Sequence, residues 1–526
     1  TSPCRVVRLT EGTKDVSKGF TPSATMHANA TIRKGRTVTE TFPIYLAGTW
    51  KETASTLKVT NPYDDSEVGN TFLATRDDLD AAIRAAQAVV PELRANPTWQ
   101  RARWLRQLAT RLEAKRDVVI ETLAREAGKP LNDATTEFNR GIFTIEYAAE
   151  EANRVGGEVI PLDLMESSTG RTGIMRRVPI GPIAGITPFN FPLNLALHKV
   201  APAIASGNPI VLKPASSTPL TMLLVARELH ELGMPAGAIS ILPMDRETGD
   251  AMVEDDRFKM LSFTGSPVVG WSMKERAGKK KVTLELGGNA GVYIDDDADV
   301  DFAVSRIRTG GFAYAGQACI SVQRVLIHKD RYEEVRDKLV EAVASLKVGD
   351  PLSKDTEVGP MIDEKQATRA EQWIQEAAKD GATILTGGER SGTLLQPTVI
   401  ENAPLTSRIC AEEAFAPVIA VAPVESFAAG INQINDSDFG LQAGIFTNNL
   451  EHSLAAFEEV EAGGVIINDV PAYRIDHMPY GGMKDSGLGR EGLRWAIEDM
   501  TEPKLMVINR LASQKVQFRT EESIKE

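Results

Sequence analysis

Cysteine is scarce in this chain: three in 526 residues, at positions 4, 319 and 410. Three thiols without regular spacing build no disulfide framework and point to a reducing compartment, taken as the cytoplasm. An excess of positive charge is also missing. A net charge of −13 and an isoelectric point near 5.2 exclude a broad nucleic-acid-binding face, which needs clustered lysine and arginine. No uninterrupted run of about 18 apolar residues occurs, so no membrane-spanning helix is expected. Internal repeats and low-complexity tracts are absent too. What remains, 42% hydrophobic and 25% charged residues, is an ordinary globular composition. The length exceeds what one compact core takes, so two or three domains are expected.

Residues 1–40 are rich in serine and threonine and carry seven basic residues against three acidic ones, without a clear period. They read as a flexible extension; Glu11 and Asp15 fit a transit leader poorly. From about Ile44 helices alternate with short apolar strands. Asp77–Leu93 places Leu79, Ala82, Ile83, Ala86 and Val89/Val90 on one helical face, and Arg101–Arg125 continues as another helix. Strands are expected at Gly181–Ile186, Ile210–Lys213, Ile239–Leu242 and Met260–Phe263. This alternation predicts a doubly wound α/β sheet, and Val282–Val424 reads as a second α/β unit. Lys515–Glu526 forms a charged tail.

Cys319 closes the run Gly316-Gln317-Ala318-Cys319, where small residues let backbone approach a ligand closely. A thiolate there could attack a carbonyl carbon, with its own N–H holding the oxyanion. The competing reading is a buried small hydrophobe. In Phe263-Thr264-Gly265-Ser266-Pro267 a strand runs through a glycine turn into a helix whose free N–H groups suit a phosphate; a plain strand–helix turn would look the same. Glu285, between Leu284 and Leu286, would be a general base if its strand buries it, or a solvated edge residue if only the leucines point inward. Asn190, between two prolines, suits an oxyanion donor or a turn. Lys213 ends its strand at Pro214, within reach of a ribose or phosphate, or of solvent.

Together, Asn190 in TPFNFP, Lys213 in VLKPAS, FTGS at 263–266, Glu285 in LELGG, Cys319 in GQAC, Glu413 and Phe415 in EEAFAPV, Asn468 in VIIND and PYGGMKDSGLGREG at 479–492 resemble, in order and spacing, the aldehyde dehydrogenase superfamily. The resemblance covers roughly residues 44–510. It implies an α/β fold with a Rossmann-like nucleotide-binding domain (44–157 and 177–283), an α/β catalytic domain (284–485) and a small β oligomerisation arm (158–176 and 486–510), between an extension at 1–43 and a tail at 511–526. It implies Cys319 as nucleophile, Asn190 as oxyanion donor and Glu285 as the base that activates water. Lys213 and Glu413 would hold the riboses, Gly265 and Ser266 the pyrophosphate, and Phe415 the nicotinamide, with Phe189, Ser216 and Gly249 completing the cofactor site. The implied cofactor is NAD or NADP, the partner a small-molecule aldehyde, and the assembly a homodimer or homotetramer. No metal is expected.

Ser216 stands where NAD-preferring relatives often carry glutamate; losing that carboxylate removes repulsion of a 2′-phosphate and tilts the expectation toward NADP. Tyr314 stands where many relatives have asparagine or glutamine. Arg140, Tyr314 and Arg474 are candidates for the substrate tunnel, the arginines for a carboxylate, sulfonate or hydroxyl group, or for salt bridges instead. His477 is a further candidate polar contact, and Cys410 reads as a buried spectator. The segment NDVPAYRIDHMPYGG resembles the lactaldehyde and glycolaldehyde dehydrogenases, so a small hydroxyaldehyde is the leading expectation. A semialdehyde such as succinate semialdehyde is the alternative. A non-catalytic structural relative would not need Cys319, Glu285, Asn190 and Lys213 together.

Overall fold

The computed structural model describes residues 40–510. The extension up to residue 39 and the tail from 511 lie outside the described residues.

Ile210–Lys213 is apolar on both faces and almost wholly buried, the pattern of a central parallel strand covered by helices on both sides. It lies in an eight-stranded sheet ordered Gly487–Leu488, Lys281–Glu285, Met260–Thr264, Ile183–Ile186, Ile210–Lys213, Ile239–Ile241, Ile44–Leu46, Thr49–Lys51. The five strands from Lys281–Glu285 to Ile239–Ile241 run parallel. The chain builds outward from Ile183–Ile186 in one direction, then returns to its other side with Met260–Thr264. That reversal is the crevice where doubly wound sheets bind ligands, at the carboxyl ends of the strands.

Leu79, Ala82, Ile83, Ala86 and Val89 are buried as the period requires, on the helix Arg76–Ala95. Thr75 and Asp78 close a reciprocal capping box at its start. The helix expected over Arg101–Arg125 is two helices, Thr98–Glu113 and Arg116–Ala127. Leu105, Leu108, Leu112, Val119, Ile120 and Leu123 keep one buried phase across the break, so periodicity hides the turn.

A second sheet of seven strands is ordered Thr383–Thr386, Thr398–Glu401, Val418–Val424, Val322–His328, Ala290–Ile294, Gln442–Phe446, Gly464–Ile467. All but the first are parallel to their neighbours. The second α/β unit thus extends past Val424 to Ile467, while the strand ending at Glu285 belongs to the first sheet. Gly157–Pro161, Arg171–Pro179 and Thr501–Asn509 form a separate three-stranded antiparallel sheet. Among the described residues no helix is long and apolar enough to cross a membrane.

Candidate active site

Four of the singled-out side chains sit at carboxyl ends of the first sheet, where topology alone would place a ligand. Asn190 follows Ile183–Ile186, Lys213 ends Ile210–Lys213, Ser266 follows Met260–Thr264 and Glu285 ends Lys281–Glu285. Asn190 is 4% exposed. Its Nδ2 donates to the Gln317 carbonyl at 3.0 Å, and its own carbonyl accepts from Lys129 Nζ at 2.6 Å. An amide nitrogen has two hydrogens, so one remains for a ligand.

Cys319 follows a strained loop. Tyr314, Ala315 and Gly316 all adopt left-handed backbone, at φ 49°, 53° and 66°, and for the two non-glycine residues this costs roughly 1–2 kcal/mol each. A Cβ on Gly316 would lie 2.2 Å from the Ala416 carbonyl oxygen, so only glycine lets the loop press there. Gln317 locks it further: its Oε1 accepts from the Ile362 N–H at 2.8 Å. The Cys319 N–H donates to no protein group among the described residues, and Sγ lies 3.0 Å from the Tyr480 hydroxyl. Burial pushes the thiol up to about 12, against the lowering effect of the Tyr480 hydrogen bond.

Glu285 is 2% exposed, and neither carboxylate oxygen has a hydrogen-bond partner among the described residues. Burial raises its pKa well above the ordinary carboxyl value; the Glu491 charge adds to this, and Arg474, Lys199 and Arg490 oppose it. A Cβ on Gly481 would sit 2.9 Å from Glu285 Oε1, so glycine there keeps room at the carboxylate. The solvated-edge alternative is excluded.

Cys319, Asn190, Arg140, Tyr314 and Arg474 line one cavity of about 200 Å³, together with Arg306, Asn194 and Tyr480. Each arginine is paired. Arg140 grips Asp476 through Nε and Nη2 at 3.0 and 2.7 Å. Arg306 holds Asp469 at 2.6 and 3.2 Å, and Arg474 Nη2 donates to Glu491 at 3.1 Å. Tyr314 lends the cavity its ring only, because its hydroxyl donates to the Ala127 carbonyl at 2.7 Å. His477 lies elsewhere: it packs on Phe143 and Tyr147 and lines a different groove. Asn468 also does structural work, at φ 55° with its side chain accepting from the Thr447 N–H. Cys410 is buried in the core of the second sheet.

The residues assigned to a dinucleotide fit one. Ser266 caps the helix Pro267–Arg276 without spending its hydroxyl on a cap bond, which leaves hydroxyl and helix N–H groups for an anion. A Cβ on Gly249 would press on Lys213 Cε at 3.1 Å, so glycine lets the lysine lie against the helix Arg246–Glu254. Ser216 is exposed beside it in sequence. Among the described residues Glu413 accepts only from the Gly288 N–H, at 3.0 Å, and burial pushes its carboxyl up to about 7. A carboxylate so poorly satisfied suits hydroxyl donors. Phe189 and Phe415 meet edge to face at 5.9 Å, with Phe415 at φ 47°.

Several residues of the site carry no role in the sequence reading: Tyr480, Glu491 and Asp476, which lie inside motifs singled out there, and Lys129 and Lys199, which do not. Lys199 lies in the largely apolar helix Asn194–Ser206, fully buried, and donates to Glu491, Thr264 and Ser262. A lone lysine in NLALHKVAPAIAS is the signal that marks it.

Residues 50–506 match the aldehyde dehydrogenase family model. The chain is 40% identical to 3-sulfolactaldehyde dehydrogenase of Priestia aryabhattai over 469 residues, covering 89% of this chain and 98% of that one. Among solved structures, aldehyde dehydrogenase 21 from Physcomitrella patens, in complex with the reaction product succinate, superposes with a TM-score of 0.89 at 44% identity, covering 90% and 100% of the two chains. Glyceraldehyde-3-phosphate dehydrogenase from Methanocaldococcus jannaschii, complexed with NADP, gives 0.84 at 36% identity, covering 88% and 100%.

Proposed function

The chain belongs to the aldehyde dehydrogenase family, and on that premise we propose that it oxidises a small hydroxyaldehyde to its acid, with Cys319 as the nucleophile. The reaction class is aldehyde oxidation with NAD or NADP. The observation that carries the assignment is the convergence of Cys319, Asn190 and three arginines on one small cavity.

The residues divide the work as follows. Sγ of Cys319 adds to the carbonyl carbon, and the negative charge that forms on oxygen meets the spare Asn190 amide hydrogen and the uncommitted Cys319 N–H. Lys213, Ser216, Gly249, Gly265, Ser266, Glu413, Phe189 and Phe415 would hold the dinucleotide, which when bound supplies the hydride acceptor. The thioester left on Cys319 is cleaved by water that gives its proton to Glu285. The raised Glu285 pKa makes it a stronger base once ionised. Ser216 supports NADP over NAD, because nothing anionic at that position opposes a 2′-phosphate.

Cavity size favours a short substrate. A second reading, a semialdehyde or sulfoaldehyde with an anionic tail, is favoured by one observation: Nη1 of Arg140 and of Arg306 has no partner among the described residues. The 3-sulfolactaldehyde and succinate named for the relatives carry such tails. A panel of lactaldehyde, glycolaldehyde, 3-sulfolactaldehyde and succinate semialdehyde, each with NAD and NADP, separates the readings by nicotinamide absorbance. If no aldehyde reduces either cofactor, the proposal fails.

The exposed strand Thr501–Asn509, with Leu505, Met506, Val507 and Ile508 uncovered, supports a homodimer or homotetramer built through this arm. Free Cys319 and Cys410 support a reducing, cytoplasmic location.

A further inference from the structure

Among the described residues, Tyr480 is the one side chain that bonds to the nucleophile. Its Oη lies 3.0 Å from Cys319 Sγ, and the residue is 3% exposed. Arg474 stacks on the ring, its guanidinium carbon 3.6 Å from the Tyr480 ring centroid. Glu491 anchors both. It takes the Arg474 Nη2 hydrogen at 3.1 Å, and its backbone exchanges two hydrogen bonds with that of Tyr480, at 3.1 and 2.6 Å. We infer that Tyr480 is a catalytic residue, its hydroxyl donating to the Cys319 thiolate so that the ionised form of the nucleophile is stabilised and fixed in direction, with Arg474 as the positioning and polarising partner on its ring.

While the thiol is neutral, either atom can donate. Once it is ionised, only the phenol can, and a donor to the charged form stabilises that form. Tyr480 keeps its proton, because burial and the Cys319 charge push its own ionisation well above the ordinary phenol range. A guanidinium over the π face draws electron density from the ring and strengthens the O–H as a donor. The charged groups facing Cys319 are Glu413, Arg474 and Glu285; those facing Tyr480 are Arg474 and Glu285. Of these only Arg474 favours the thiolate, so the donor on Tyr480 acts with Arg474 against two carboxylates and burial. The inference rests on the reading of Cys319 as nucleophile.

The test is the pH profile of Cys319 alkylation by iodoacetamide in the NADP-loaded enzyme, followed by peptide mass spectrometry, for the parent and for Tyr480→Phe. The expected displacement is about one to two pH units upward, so that alkylation at a fixed pH on the rising limb slows roughly tenfold or more. NADP affinity should stay within about twofold of the parent. Overlapping profiles, or displacement to lower pH, overturn the inference. Site-specific replacement of Tyr480 by 3-fluorotyrosine gives a second reading that keeps the hydroxyl and the packing. The more acidic phenol should move the profile downward, and no movement overturns the inference. Cys319→Ser in parallel separates the two levels. Turnover by that variant removes the nucleophile assignment, whereas its inactivity beside an unmoved Tyr480→Phe profile removes only the role of Tyr480.

Discussion

Lys129 Nζ, a cation with no solvent exposure, donates at 2.6 Å to the backbone carbonyl of Asn190. The same ammonium is paired with the equally buried Glu137 and lies over the rings of Phe191 and Tyr314 at 3.9 and 4.4 Å. Glu137 in turn accepts from the N–H groups of Leu193 and Asn194. Asn190, the proposed oxyanion donor, is thereby tied to a buried ion pair rather than left on a free turn.

Lys129→Met should therefore destabilise the protein by about 3–5 kcal/mol, the usual cost of leaving one buried charge without its partner. Removing both charges, in Lys129→Met with Glu137→Leu, should recover much of that loss. The urea midpoint of each variant checks it; an unchanged midpoint in the single variant would refute the coupling.

Asn190→Ala should lower kcat by about 10²–10³, the scale of one oxyanion donor, while NADP binding persists. Steady-state kinetics beside a cofactor titration measure both. A rate within about twofold of the parent would make Asn190 a turn residue only.

Cofactor affinity should fall as pH falls through about 7, where buried Glu413 takes up its proton, because ribose hydroxyls donate best to the ionised carboxylate. The sign for stability is opposite. The folded state binds this proton more tightly than the unfolded chain, so the stability this group contributes is full below the ordinary carboxyl range and is lost as pH rises toward 7. Glu413→Gln should flatten the affinity profile, as followed by fluorescence titration of NADP at several pH values.

Ser216→Glu should lower catalytic efficiency with NADP by roughly tenfold to a hundredfold relative to NAD. Like charges a few ångströms apart near a surface repel by about 4 kcal/mol before screening, and position 216 is exposed enough for screening to reduce this. An unchanged NADP/NAD ratio would shift cofactor choice to Lys213 and Gly249.

Four strands at the centre of the first sheet were legible because each is a short apolar run soon followed by Gly or Pro, as in Ile210–Lys213 before Pro214. Ser266 was legible as a helix start for the same local reason. The partners of the arginines were not. Arg140 and Asp476 are 336 positions apart, and Lys199 and Glu491 are 292 apart. Such pairs are made by the tertiary fold, and no local period encodes them. The hydroxyl of Tyr314 illustrates the limit within a motif: its place beside Cys319 in sequence suggests a substrate contact, yet its strained backbone turns the hydroxyl to Ala127.

The account turns on acyl transfer to Cys319 and its release by water taken up by Glu285. Glu285→Gln mixed with aldehyde and NADP should give one rapid burst of reduced cofactor, about one equivalent per active site, then slow turnover. Peptide mass spectrometry of the quenched mixture should find the acyl group on the peptide that carries Cys319. A burst absent from this variant, together with no acyl mass on that peptide, would contradict the account.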